Sequence, residues 1–479
     1  MTFYWHDYET WGASPATDRA AQFAGIRTDA ELNPIGEPLV LYAQPAQDVL
    51  PQPQACLTTG ITPQQALAEG LPEADFFAAI HAELSQPGTC ALGYNSLRFD
   101  DEVTRYGLYR NFFDPYEREW KRGNSRWDLI DVVRLTRALR PEGFNWPTHP
   151  EAGTTSFRLT DLTAANGIGH ADAHDALADV QATIALARLL RQQQPRLFEY
   201  CRTHRDKKTL GALLDPQAAT PVLHVSARYP AATGCIALVL PLAWHPTQKN
   251  GVIVYDLRQA PDDVLQLSAE EIHTRLYTAT DDLPAGQHRP ALKVVHLNRA
   301  PVVVPANTLT DAACTDWQMP AAPAAEHAAA LQAAQPALAA KLAEVFSIPY
   351  PARDTDPDFD LYGGGFLAPA DRALCQDVRQ ATPEALASLQ PDFIDPRLTT
   401  LLFRYRARNW PDTLNACEQA EWDTFRHHRL TDPAAGASIT LADYQAELSQ
   451  LIVSATDQER DLLEALLAWP AELGLTTTS

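Results

Sequence analysis

An apolar, aromatic run, Phe3-Tyr4-Trp5-His6-Asp7-Tyr8-Glu9-Thr10, carries Asp7 and Glu9 two residues apart; read as a strand, it sets both on one face. Gln22 to Thr28 and Pro38 to Gln44 read as two further strands, with turn chemistry at Asn33-Pro34-Ile35-Gly36 between them. Thr62 and Pro63 suit the N-cap and first position of a helix. Phe76, Phe77, Ile80 and Leu84 give Ala74 to Leu84 a helical spacing, and Thr89 to Tyr94 reads as a short buried strand leading to a helix start within Asn95–Glu102. Helices are predicted over Asp128–Leu139 and Arg158–Ala165, with a Pro- and Gly-rich loop at Gly143–Ser156, and the segment Ala173–Gln192 ends in an Ala/Leu-rich helix that stops near Pro195. Three leading strands followed by alternating helix and strand predict an α/β mixed sheet flanked by helices, closing near residue 194.

The pattern then changes. Val222–Val225, Cys235–Leu240, Val252–Tyr255 and Lys293–Leu297 read as strands separated by turns, with a helix at Ser268–Leu276. Ala321–Phe346 is Ala-rich and helical, with expected interruptions at Pro323 and Pro336. Tyr350–Asp358 is proline-rich and predicts a linker, and most of the chain beyond Pro369 has helical spacing. The expected organisation is an α/β domain over 1–194, a strand-rich domain over 195–349, and a linker with an α-helical domain over 350–479. A length of 479 residues agrees with roughly three domains at about 150 residues each.

Composition changes little in this picture. Hydrophobic content of 46% and charged content of 20% are ordinary for a globular protein. The chain shows no apolar run of about 18 residues and no basic segment leading into an apolar one, so neither a membrane span nor a secretory signal is expected. The seven cysteines are scattered without a Cys-x-x-Cys pair, which points to reduced thiols in a cytoplasmic protein. Charge matters more. A formal net charge of −22 argues against nucleic acid unless basic residues are gathered locally. Three stretches gather them: Arg118, Lys121, Arg122 and Arg126; Arg202, Arg205, Lys207 and Lys208; and Arg404, Arg406 and Arg408. Each is equally readable as a solvated helix face.

Two carboxylates side by side either share a proton or hold a cation, and hard divalent ions such as Mg²⁺ take carboxylate oxygens. Alone, Asp7 and Glu9 are equally two solvated acids on a strand edge. Asp100 ends Asn95-x-x-x-Phe99-Asp100 at a helix start just after a strand, where α/β sites are built, although a plain capping acid would look the same. His174 and Asp179 are five residues apart, roughly 140° around a helix, so they cannot share a helical face. If both serve one site, His174 lies on the entry loop with Asp175 as N-cap.

Together these pieces resemble the three motifs of the DEDDh 3′→5′ exonucleases, an RNase H-like superfamily whose proofreading members also share Thr59-Gly60-Ile61-Thr62. The resemblance is closest to the bacterial exodeoxyribonuclease I family. It is carried by His6-Asp7-Tyr8-Glu9-Thr10, Gly93-Tyr94-Asn95, Arg98-Phe99-Asp100-Asp101-Glu102-Val103-Thr104-Arg105, Arg140-Pro141-Glu142-Gly143, Ser156-Phe157-Arg158-Leu159 and Leu402-Phe403-Arg404-Tyr405-Arg406-Ala407-Arg408-Asn409, and it covers essentially the whole chain. It implies an RNase H-like exonuclease domain, an SH3-like domain and a C-terminal helical domain. The implied activity is Mg²⁺-dependent, processive 3′→5′ degradation of single-stranded DNA to 5′-mononucleotides in DNA repair and recombination, with Mn²⁺ able to substitute.

Asp7, Glu9, Asp100 and Asp179 would hold two ions, which at about 3.5–4 Å apart clamp the attacking and leaving oxygens. Glu9 would also touch the terminal 3′-hydroxyl. A water nucleophile needs a base, and His174 is the natural one, marking the DEDDh subclass. Arg158 matches the family's substrate arginine, suited to bidentate bonding of a backbone phosphate. Strand binding needs basic residues interleaved with stacking rings, and Arg105, Tyr116, Trp120 and Arg134 supply that mixture in the first domain. By resemblance Tyr200, Lys207, Asn250, Lys293 and Asn298 extend the DNA path, with Tyr362 on the linker. Pro305 departs from the family, which can show a polar residue there. A single-stranded-DNA-binding protein is an implied partner, and a monomer is expected. The competing readings are an RNA-trimming relative, which would resemble the first domain alone, and an inactive single-strand-binding module, which would lack one of the five catalytic side chains.

Overall fold

The computed structural model describes residues 1–170, 173–349 and 355–475. Most of the expected linker, residues 350–354, lies outside the described residues. By contacts the chain forms two compact units: Met1–Ser125 with His170–Ile184 and Arg353–Ser479, and Arg126–Gly169 with Ala185–Ala352. The C-terminal helices thus belong to the same unit as the N-terminal strands, a grouping that chain order does not display.

In the first unit β1 (Thr2–Thr10) lies between β2 (Ala20–Thr28), antiparallel to it, and β4 (Thr89–Gly93), parallel to it; β3 (Leu39–Tyr42) pairs antiparallel with β2. The sheet is mixed, as expected, and β5 (Ser125–Asp128) begins where the chain passes to the second unit. On one face of β1, Tyr4 and Tyr8 pack with Phe23, Phe76, Phe77, Ile80, Val103 and Leu108. The helices Glu73–Leu84 and Asp100–Arg110 supply that cover. Gly107 lets them meet: a Cβ there would collide with the ring of Phe77. The odd positions carry Phe3 and Trp5, then Asp7 and Glu9. Trp5 donates to Thr28 Oγ1 at 3.0 Å, which pins the aromatic end of the strand.

The second unit contains an antiparallel sheet running from β10 (Val303–Pro305) through β6 (Val222–Val225), β7 (Ile236–Trp244) and β8 (Gly251–Asp256) to β9 (Leu292–His296). Pro305 ends an edge strand, where its missing N–H costs no ladder bond. The Ala-rich stretch forms two helices, Ala321–Ala333 and Gln335–Ser347. Pro336 opens the second, but Pro323 interrupts nothing: it lies in the first turn, whose N–H groups have no intrahelical partner. Short helices at Pro53–Thr59, Pro195–Thr203 and Lys207–Leu213 were not anticipated, being too short to display a period. None of the seven cysteines forms a disulfide. Among the described residues no helix is long and apolar enough to cross a membrane.

The third basic stretch is not a solvated face. Arg404 and Arg408 on the helix Pro396–Asn409, with Arg429 on Ala416–Thr431, surround Asp48, Asp356 and Asp358. Arg408 reaches Asp48 at 2.7 Å and Asp358 at 2.6 Å; Arg429 reaches the same two at 2.7 and 2.8 Å. Arg406 is spent on Glu418 at 2.7 Å. In the first stretch, Arg118 is buried on Asp101 at 2.6 Å. Much of the chain's arginine therefore neutralises internal acids.

Asp48 and Asp358 have no exposed side-chain surface, so removing one charge strands its partners. Burial alone would raise the Asp358 carboxyl, but Arg408, Arg429 and Arg404 outweigh it and hold it well below the usual range. Asp358→Asn is expected to cost about 3 kcal/mol at neutral pH. A depressed carboxyl stabilises fully above its unfolded value near about 4 and loses that contribution as pH falls through the folded value. Chemical denaturation should show the gap between variant and parent narrowing in acid. A gap below about 1 kcal/mol at neutral pH would refute the buried-charge argument.

Candidate active site

The acids converge because each is fixed by backbone. Asp7 and Glu9 share a face of β1, held on both sides by neighbouring strands as far as Trp5 and on the β2 side to its end. Asp100, buried at the start of its helix, accepts a hydrogen bond at 3.1 Å from the N–H of Tyr8, the residue between Asp7 and Glu9, which sets its carboxylate beside β1. Thr104 ties the same helix turn to the strand: its hydroxyl meets Tyr8 Oη at 2.9 Å and donates to the Asp100 carbonyl at 2.8 Å.

The helix Ala176–Gln193 carries Asp179, and His174 lies ahead of it on the entry turn, as the helical geometry required. Asp175 is the cap: its Oδ1 accepts from Ala178 N at 3.0 Å. His174 has φ of 70°, a left-handed conformation that costs a residue with a Cβ about 1 kcal/mol. Ligand atoms of Glu9, His174 and Asp179 all lie within 4.8 Å of one another, the spacing of a cation site.

Electrostatics reports the crowding. Burial, followed by the charges of Asp179, Asp100 and Asp175, pushes the Glu9 carboxyl up to about 9. Asp7 is raised well above the carboxylate range by burial, then by Asp100, Glu9, Asp179 and Asp175. Hard oxygen donors whose charges cannot coexist alone suit divalent cations.

The remaining expected residues fall in both units. In the first, Arg105 brings three of them together: it bonds Tyr362 Oη at 3.1 Å and lies 5.4 Å over the Tyr116 ring, while Glu119 and Glu102 occupy its other donors at 2.7 and 2.6 Å. Trp120 is exposed and shares a groove with Tyr116, Phe366 and Arg372. In the second unit Arg158 is exposed at the N-cap of Leu159–Ala165, and Lys207 is exposed at the first position of its helix. Arg134 pairs with Asp131 at 2.6 Å. Tyr200 stacks on His204, with ring centroids 3.9 Å apart, and Lys293 lies 4.3 Å over Tyr229. The backbone carbonyls of Asn250 and Asn298 accept from Leu297 N and Arg126.

Three residues escaped the sequence reading. His170 Nε2 contacts Asp179 Oδ1, and its only signal was a second histidine four residues before His174. Gln22 meets the entry turn, signalled by one amide in an apolar strand. Phe366 is 86% exposed and packs edge-on to Tyr116 at 5.6 Å; its signal was a lone aromatic after Gly363-Gly364-Gly365.

The raised carboxyls give a signed expectation. Without metal, Glu9 keeps its proton in the folded chain but loses it on unfolding, so its contribution falls as pH rises from about 5 to about 9. A bound cation replaces that proton. The gain in Tm on adding MgCl₂ to EDTA-stripped protein should therefore grow across this pH range; a gain independent of pH would refute it.

Comparison with known proteins agrees with this geometry. Three family models match in series: "Exonuclease" over residues 4–187, "Exonuclease I SH3-like domain" over 205–348 and "Exonuclease I C-terminal domain" over 355–473. Exodeoxyribonuclease I of Escherichia coli K12 is 46% identical over 475 residues, 98% of each chain. The structure of a moderately thermophilic exonuclease I from Methylocaldum szegediense superposes with a TM-score of 0.94 at 50% identity, covering 99% of this chain and 100% of that one. A zinc-bound E. coli exonuclease I complex with single-stranded DNA gives 0.92 at 46% identity, covering 99% of both chains. The chain belongs to the exodeoxyribonuclease I family.

Proposed function

We propose that this chain removes nucleotides from the 3′ end of single-stranded DNA, using Asp7, Glu9, Asp100 and Asp179 as metal ligands and His174 as the base. The activity and its dependence on a divalent metal follow from family membership. The choice of Mg²⁺, the count of two ions and the residue roles are our reading. The observation that carries it is the convergence of Glu9, His174 and Asp179 beside Asp7 and Asp100. When bound, the ions supply Lewis acidity at the scissile phosphate and activate water.

The chain's own groups do the rest. Water oxygen attacks the last internucleotide phosphorus and His174 takes its proton. The bond from phosphorus to the 3′-oxygen of the preceding nucleotide breaks, that oxygen takes a proton from solvent, and a 5′-mononucleotide leaves. Glu9 orients the terminal 3′-hydroxyl and Arg158 holds a backbone phosphate. Tyr116, Trp120 and Tyr362 offer stacking faces, with Arg105 fixing two of them; Arg134, Tyr200, Lys207, Asn250, Lys293 and Asn298 continue the path. Segments 1–194, 195–349 and 350–479 are taken as exonuclease, SH3-like and C-terminal domains. The protein is read as a cytoplasmic monomer that also meets a single-stranded-DNA-binding protein.

Matches beyond the first domain disfavour an RNA trimmer, and the intact acids and histidine disfavour an inactive module. Incubation of 3′-labelled single-stranded DNA, duplex DNA and RNA with MgCl₂ or EDTA tests all three. Metal-dependent release from single-stranded DNA above the others is expected; release from RNA first, or none, overturns the reading. Asp179→Ala should abolish release while DNA affinity stays within a few-fold. Parental turnover in that variant would remove Asp179 from the metal site.

A further inference from the structure

We infer that Gln22 is a positioning residue for this reaction: with Asp175 it clamps the turn that presents His174 and launches the helix bearing Asp179. The inference rests on the proposed roles of those two residues. β2 is apolar around it, running Ala20, Ala21, Phe23, Ala24, Gly25 and Ile26, and Gln22 is 2% exposed. A buried amide is tolerated only when its polar atoms are bonded. Its Oε1 accepts from Ala176 N at 3.0 Å; its Nε2 donates to Asp175 Oδ2 at 3.0 Å and to the Tyr42 hydroxyl at 3.1 Å.

Ala176 opens its helix, so its N–H is one of those with no intrahelical partner, and Gln22 supplies one. Asp175 commits both carboxylate oxygens, Oδ1 to Ala178 N and Oδ2 to Gln22, which keeps this acid out of the ligand set. Immediately before it, His174 is held at φ of 70°, a conformation that persists only where its flanks are fixed. The anchor point matters as much as the bonds. Gln22 is the register partner of Glu9, so the turn is tied to the strand position beside the acid that His174 and Asp179 approach. Only an amide serves: glutamate offers no donor for Asp175, and methionine offers neither donor nor acceptor of use.

Gln22→Met should lower kcat about 10- to 100-fold, the usual loss on removing a group that orients a metal-site side chain, with KM for single-stranded DNA within about twofold. In metal-free protein, hydrogen exchange at Ala176 and Ala178 should accelerate while the β1 amides keep their protection. The reciprocal swap is decisive. Gln22→Glu and Asp175→Asn should each impair turnover. Combined they restore it, because Glu at 22 still accepts from Ala176 N and now accepts from the Asn amide at 175. Unchanged kcat and exchange in Gln22→Met, loss of protection throughout the sheet, or a swap no better than its singles would each overturn the inference. Should Gln22→Met fail to fold, the swap alone decides. Parental turnover in Asp179→Ala would refute the catalytic reading, whereas the exchange measurement tests the clamp independently of it.

Discussion

Like charges held together in an occluded place are the constraint on which the catalytic unit depends. Burial and the charges of Asp100, Asp179 and Asp175 raise the proton affinity of Asp7 and Glu9, because none of these acids can move away. A strand paired on both sides as far as Trp5 and on the β2 side through both acids is a suitable platform, since side-chain separation along it is set by the pleat and not by rotamer choice. Asp100 is held by a backbone N–H of that strand, so its position follows β1. The aromatic residues Phe3, Tyr4 and Trp5, all buried, resist the repulsion that two acids further along would otherwise relieve by fraying the edge.

The same logic of fixed charge explains how a chain of net charge −22 can serve a polyanionic substrate. Arginines that look like a nucleic-acid surface are consumed internally, at Asp48, Asp356 and Asp358. What remains available near Arg105 is mainly aromatic: Trp120 and Phe366 are exposed, and Tyr362 is half exposed. Stacking depends on ring faces and not on long-range field, so it works under an unfavourable overall potential.

Local periodicity made much of this legible. The aromatic run with its two acids at Phe3–Thr10 pointed to both β1 and the common face of those acids, and helix geometry set His174 ahead of its helix once it was to share a site with Asp179. Caps at Thr62 and Asp128 marked the expected helix starts. Partner identity was not legible, because it is a property of the folded chain. Arg408 meets Asp48 across 360 residues, and no window of sequence distinguishes that arginine from one facing solvent. Gln22 and His170 were missed for the same reason: the turn each supports lies 154 residues from Gln22, and only nine residues separate His170 from Asp179, yet that contact needs a bend no period announces.

These supports share one direction of effect. Gln22, Asp175 and the Tyr8 N–H each remove a freedom through which the acids could separate. With separation blocked, repulsion has two outlets: protonation, which neutralises a carboxylate, or a cation, which compensates it. Protonation would leave these oxygens unusable as ligands near neutral pH, so on the proposed metal role the same rigidity would favour a compact, highly charged ion. The scissile phosphate brings further negative charge into the same space, and that charge is tolerable only once the cation is present. On the proposed roles, an order of assembly would follow from the fold: a metal ion would compensate the acids before the strand end is admitted, and His174, held in a strained turn, would face that end without having to search for its place.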